Sequence, residues 1–537
     1  MNTLCQSMFS GLGLLALSGA LLLAPTSAHG FALEVHQAVT ARALEGRKTP
    51  GPVAMATVQD QAAFIAWMVD RMRAEGDDSS PERARFRKRF PLGTAVDAFD
   101  LRGFFGFGQH DGSGVVGLDR AMPGGPETFV RLLVQASVQP DLDARNQSRL
   151  ASNPDRTPLR LPDGRPVPFD PMTLNMGAVD GLSSQAHAHY QLGADHPSDS
   201  VETLQRQPWN FVLATGFPGP VETYAAAMAA MHLDLAIAAR QWGVETANPA
   251  GMALAGLWLG AGLHYVQDIA GPLHTVQVGS YDLFKRAKIA SWIEALRTGG
   301  GVWGTRRGFV SIGLGFLHNH HMMAEQWLAR ELVSVLRGQP AHPAVAAAWQ
   351  QAQGDDPAVV QAMPTDRGEL VMQMLAGLGA RDGAELYAAA LAAGAPKLTD
   401  PDYRVGDEET LGPEHLGDPS DPQVKAALDR MATLHGRSLL RAVTASRRYD
   451  EVFEHGEAGA ALTRLRKIRL DALDAAEARR ATYLKHPPPA ATDLVEPIWA
   501  VGEGLLLVLL VGGVAWGVQR RRRRVTERQA AAVRAAP

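Results

Sequence analysis

Apolar residues crowd one segment of this chain: AGMALAGLWLGAGLHYV, residues 250–266, carries no charged or strongly polar side chain before His264. A helix that is apolar all round belongs in a core, so this segment predicts a central buried helix. The run before it, ETYAAAMAAMHLDLAIAARQW, has helical spacing and is separated from it by the turn residues NPAG. Two long helices joined by so short a link pack antiparallel, as in a bundle whose few polar side chains point inward. Amphipathic helices are also expected in FALEVHQAVTARAL, where Val35, Val39 and Ala43 share a side, in AAFIAWMVDRM, in ETFVRLLVQASVQPD, and over 325–340 and 423–450. Leu462–Leu484 is helical in period but densely charged, the pattern of a stalk. RGFFGFGQHDGSG and the proline-rich stretch 150–175 read as loops. The insert GGGVWGTRRGFVSIGLGFL, with Trp303, Phe309 and Phe316 among its glycines, is expected to be a packed loop or a mobile lid. The fold class is all-α.

The two ends have a different pattern. Gly11–Ala24 is a 14-residue apolar run followed by Pro25 and small residues, too short to span a bilayer and suited to a secretory signal peptide over 1–30. Cleavage fits after Ala28 or after Gly30; the leader lacks the usual basic residues. A helical body is expected over 31–450, then a helical stalk and the stiff linker HPPPAATDLVEP over 451–496. Ile498–Val518 is long enough to cross a bilayer, giving a transmembrane helix over 497–518, and Arg520–Arg524 open a basic tail over 519–537. Those arginines put the tail on the cytoplasmic side and the body on the periplasmic or extracellular side of the cell membrane.

Charge and cysteine narrow the chemistry. The tail from Arg520 carries seven Arg and one Glu, and residues 1–30 carry no charge; removing that +6 from the net −4 leaves −10 for the middle of the chain. An acidic body offers no electrostatic footprint for duplex nucleic acid. The only cysteine, Cys5, lies in the leader, so a metal site must be built from His, Asp and Glu.

Such residues sit in LHYVQDIAGPLH, 263–274. His264 and Asp268 are four apart, one turn from each other on a single helical face. Gly271-Pro272 stops the helix, because proline lacks the donor and disfavours helical geometry in the residue before it. His274 is thereby turned out of register, free to serve a neighbouring ion. His321 and Glu325 in HMMAE repeat the one-turn spacing. Charged and polar side chains in so apolar a helix need compensation, and a coordinated ion provides it. His36, Asp141 at a helix exit, and the His-rich SQAHAHYQLGADHP with His187, His189 and His196 are further donors.

The run HxxxD, five residues, His, and later HxxxE resembles the zinc-dependent phospholipase C family and its relatives, the single-strand-specific zinc nucleases. The resemblance covers roughly residues 31–450 and rests on about nine positions. It implies an all-helical domain holding up to three zinc ions in a cleft. Carried over residue by residue, it gives one zinc to Asp141, His189, His264 and Asp268. A second goes to the N-terminal Phe31 and His36, with Asp268 bridging, and a third to His274, His321 and Glu325. Asp180 competes with Asp141 for the early Asp role, and Phe31 stands where the family has Trp.

The implied chemistry is hydrolysis of a phosphodiester by a metal-activated water, with Asp141 and Asp268 as catalytic carboxylates. Glu34 matches a headgroup-contacting Glu of the phospholipases, and a tether and an aromatic insert also favour lipid. Leu142 and Ala186, where choline-binding members are aromatic, and the His36 offset favour a nuclease acting on single strands instead. The expectation is a membrane-anchored phospholipase C-like hydrolase. The alternatives are a nuclease or nucleotidase of the same superfamily, and a non-catalytic binding protein that keeps zinc for folding.

Overall fold

A computed structural model describes residues 33–47, 53–54, 56–75, 79–93, 128–140, 225–275, 289–290, 293, 309–363, 369–400, 403, 405 and 412–485. Among the described residues the long elements are all helices and no strand is present. In chain order they are α1 (Leu33–Ala43), α2 (Val58–Ala74), α3 (Pro81–Arg89), α4 (Phe129–Ala136), α5 (Ala225–Thr246) and α6 (Ala250–Ala270). After a 3-10 turn at Pro272–His274 come α7 (Phe309–Leu336), α8 (Pro343–Gln351), α9 (Pro357–Ala362), α10 (Glu369–Ala393), α11 (Pro422–His455) and α12 (Ala458–Lys485).

The apolar 250–270 run forms the axis of the structure. Every residue of α6 but Met252 is buried, and α5, α4, α11, α10 and α1 pack around it. Close approach depends on its glycines. Gly256 faces Leu132 and Phe129, and Gly260 faces the backbone of α4 at Leu133. At Gly262 a methyl group would overlap the Tyr449 hydroxyl, which reaches past α6 to donate to Ala229 O at 2.6 Å. Gly262→Ala is therefore expected to overpack this crossing and lower stability by about 1–3 kcal/mol, read by chemical denaturation.

Two elements differ from their sequence patterns. FVSIGLGFL is the start of α7 rather than loop, and Phe316 is fully buried rather than available to an interface. The glycines were misleading because this helix gains its stability from burial, which outweighs their poor intrinsic propensity. The stalk is the second case. Along its first half α12 packs on α5, α2 and α3, burying Leu462, Leu465 and Leu470. Arg466 donates to Met72 O at 3.0 Å and Glu75 O at 2.7 Å, satisfying carbonyls at the end of α2. The body therefore extends past the expected boundary at 450. Among the described residues no helix is long and apolar enough to cross a membrane. The expected signal peptide, linker, membrane span and basic tail lie outside the described residues.

Candidate metal centre

One turn before its end, α6 presents His264 and Asp268 on the same face, and α1 lays His36 against them. His264 Nε2 is 3.3 Å from Asp268 Oδ2, and His36 Nε2 is 3.5 Å from Asp268 Oδ1. The two imidazoles stack with centroids 4.1 Å apart, and all three side chains are buried. His36 is placed by the pattern of α1, whose buried residues Val35, His36, Val39, Thr40 and Ala43 form one stripe.

A hydrogen bond at the far side of the His264 ring fixes which of its nitrogens carries the proton. His264 Nδ1–H donates to Ser137 O at 2.9 Å, and a carbonyl can only accept. His36 Nδ1 faces Gln267 Oε1 at 2.7 Å. Gln267 Nε2 in turn donates to Thr40 Oγ1 at 2.8 Å and Ser446 Oγ at 3.2 Å. With His36 likewise protonated on Nδ1, both neutral rings aim an Nε2 lone pair at the Asp268 carboxylate, acceptor against acceptor. A cation between them converts this opposition into coordination. Protonating both rings instead would place two positive charges within a stacked, buried pair.

The helix stop at Gly271-Pro272 builds the second cluster. Gly271 N–H closes α6 on Asp268 O at 2.8 Å, and the 3-10 turn that follows swings His274 away from the α6 face. There it meets His321 and Glu325 of α7, one turn apart. His321 Nε2 is 2.8 Å and His274 Nε2 3.6 Å from Glu325 Oε1. Burial pushes the Glu325 carboxyl up, but the charge and hydrogen bond of His321 together with His274 outweigh it and hold the pKa below the usual value. The neighbours of His321 are spoken for: Asn319 donates to Leu398 O and Tyr403 O, and His320 Nδ1–H donates to Phe316 O at 2.7 Å. Of Asn319, His320 and His321, the last is the one that turns to Glu325.

The two groups, His36–His264–Asp268 and His274–His321–Glu325, each bring one ligand atom per residue to within 4.8 Å of the others, and either can hold a metal ion. They adjoin through His274, whose Nδ1 lies 3.7 Å from Asp268 Oδ1. An Nε2 used on an ion would leave Nδ1 on the side of that carboxylate, longer than a hydrogen bond but on the side from which an outer acceptor supports a ligating histidine. Asp268 is thus placed to serve one ion directly and the other through His274. Imidazole and carboxylate donors without thiolate suit zinc and its first-row neighbours better than calcium or magnesium.

Six of the expected site residues meet here: His36, His264, Asp268, His274, His321 and Glu325. Glu34, also expected, is half-buried in the first turn of α1, two residues from His36. Phe31, Asp141, His189 and the rival Asp180 lie outside the described residues, as do Leu142 and Ala186. Sequence reasoning missed the outer layer. Gln267 was visible as a polar residue between His264 and Asp268 in an apolar helix; Thr40, one turn after His36, was a weaker cue. Ser446, Tyr387 and the buried His435 gave none. Burial lowers the His435 pKa to about 4, with Glu325 acting in the opposite sense and His321 in the same one. No family model, no curated protein and no solved structure matches the chain.

Proposed function

We propose that this protein is a zinc-dependent phosphodiester hydrolase of the phospholipase C type, exported and held at the membrane by its C-terminal helix. The observation that carries the proposal is the pair of adjoining buried ligand groups, six side chains drawn from three distant stretches of sequence onto one another. A structural site is closed by its protein ligands, whereas three protein ligands leave positions for water and substrate. Bound zinc would supply a water acidified toward neutrality and positive charge at the phosphoryl oxygens.

The chain's own residues do the rest. His36, His264 and Asp268 hold one side of the cleft rigid through Gln267 and Ser137 O, so the donors need no rearrangement when substrate arrives. Asp268 and Glu325 would offset the charge of ions held in the two groups. Phe31, Asp141 and His189 complete the proposed ligand set, and Asp141 is the proposed acceptor for the water's proton. Glu34, beside His36 on α1, is the proposed contact for a cationic headgroup.

The test combines metal analysis of the purified protein with two assays: release of diacylglycerol from mixed phospholipid vesicles, and release of nucleotides from single-stranded DNA. Zinc in the protein, with lipid hydrolysis abolished by chelator and by His264→Ala, is the expected result. Nucleotide release without lipid hydrolysis would replace the phospholipase by a nuclease. Zinc with neither activity would leave a binding protein whose metal serves folding alone.

A further inference from the structure

The outer partners of the three best-defined imidazoles differ in kind. His264 is held by a carbonyl, which only accepts and so permits a single tautomer, and His36 by the side-chain amide of Gln267. His321 Nδ1 instead faces the hydroxyl of Tyr387 at 2.9 Å. A phenol can donate or accept. Its ring is buried and stands 6.3 Å from that of His321, at an interplanar angle of 50°. Tyr387 belongs to α10, which also packs against the turn carrying His274, where Gly379 closes on the Thr275 side chain. One helix therefore backs two of the three residues of the second group.

We infer that Tyr387 is a positioning residue whose hydroxyl follows His321 between two tautomers as a metal ion enters the second group. This rests on that group taking an ion, as proposed above. With the proton on Nε2, His321 donates to Glu325 Oε1, 2.8 Å away, and Tyr387 donates to Nδ1. With Nε2 given to an ion, the same ring carries its proton on Nδ1 and donates it to Tyr387, whose hydroxyl has rotated. The ring stays neutral throughout: one proton leaves Nε2, one arrives on Nδ1, and water carries the exchange. Glu325 is released from its hydrogen bond at the moment it is needed as a ligand. A carbonyl in the place of Tyr387 would forbid the first arrangement, and a methyl group would support neither.

Zinc affinity measured by chelator competition on the full-length protein tests this, with Tyr387→Phe beside the parent. Loss of an outer partner costs a ligating histidine about 10–100-fold in metal affinity. That loss is expected at one class of site, with the tighter or weaker remainder unchanged. Difluorotyrosine at position 387, which keeps ring and hydroxyl but donates better and accepts worse, should weaken the same class by a smaller factor. It also decides the matter where the phenylalanine variant does not fold. Side-chain 15N spectra of histidine should show one imidazole change its protonated nitrogen from Nε2 to Nδ1 on zinc addition. Unchanged affinity in the folded variants, equal loss at every site, or a His321 tautomer that never changes would overturn the inference. If the parent takes up no zinc, the functional proposal falls with it; if the parent binds zinc and hydrolyses lipid while the variants match it, only the role of Tyr387 falls.

Discussion

Asp268→Asn is expected to empty the first metal group and to weaken the second, although Asp268 belongs to only one of them. Among the described residues it supplies the carboxylate that faces His36 and His264, at 3.5 and 3.3 Å. An asparagine in its place offers one neutral oxygen and an NH2 group that cannot ligate. In the second group the loss is indirect. His274 Nδ1 lies 3.7 Å from Asp268 Oδ1, an ion-pair approach longer than a hydrogen bond, and without that negative charge the ring loses part of its basicity as a ligand. Zinc affinity should become unmeasurable in the first group and fall about 10–100-fold in the second. Hydrolysis should fall by at least about 10²–10³-fold, the loss typical of removing a single electrostatic stabiliser. Glu325→Gln is the contrast, because it touches His274 and His321 but not His36 or His264, and should spare the first group. Metal content after dialysis and melting with and without chelator check both variants. Ligand binding stabilises the folded state by about 4 kcal/mol at a thousand times Kd, so the Asn variant should melt like the chelated parent. Retention of a full complement of zinc by Asp268→Asn would remove the carboxylate from the centre of the site.

What could be seen of this site in the sequence follows from the range over which sequence periodicity acts. His264–Asp268 and His321–Glu325 are local pairs, and helical geometry alone puts each on one face. The displacement of His274 is also local, since Gly271-Pro272 ends the helix whatever surrounds it. His36 is different. Its spacing says only that it shares a stripe with Val35 and Val39, and its arrival beside His264 was indicated by resemblance rather than by pattern. The outer layer was beyond either source. Gln267 joins His36, Thr40 and Ser446, residues 231, 227 and 179 positions away, and no period in the chain encodes such meetings. Tyr387 likewise reaches His321 from 66 positions away, out of a helix with no other role in ligation.

The fold was legible where apolar residues were dense and misleading where charge or glycine diluted them. The 250–263 run announced itself as a core helix because no face of it is polar. Leu462, Leu465 and Leu470 were hidden among Arg464, Arg466, Lys467 and Arg469, so α12 looked like a solvated rod. Several of those arginines are structural: Arg466 is buried against the end of α2, and the stem of Arg464 lies over α5. Long cationic side chains cover apolar surface while their heads reach oxygen or water, a habit that composition cannot distinguish from plain exposure.

That distinction gives the last expected result: Arg464→Met should destabilise the body, and more so at high pH. Arg464 clasps the Asp234 carboxylate of α5 in a fork, with Nε 3.0 Å from Oδ2 and Nη2 2.6 Å from Oδ1. Asp234 is almost completely buried, and burial pushes its pKa up to about 6 even though Arg464 pulls it down. In the unfolded chain the group titrates near 3.8. A carboxyl whose folded pKa is raised favours folding while protonated, and that contribution is lost as pH rises through the folded value. Without the guanidinium nothing restrains the rise, so the variant's carboxyl should titrate still higher. Removing one partner of a buried ion pair costs about 3–5 kcal/mol. Arg464 is half exposed, so solvent screens part of the interaction and the lower end of that range, about 3 kcal/mol, is expected at pH 8. Near pH 5 the deficit should shrink, because a protonated Asp234 no longer needs the cation. Adding Asp234→Leu to Arg464→Met should restore stability at pH 8, since an apolar pair of similar volume carries no buried charge. Denaturant midpoints of the parent and the two variants at the two pH values decide the matter. A deficit independent of pH, or no deficit at all, would mean that α12 stands off the body as a stalk after all.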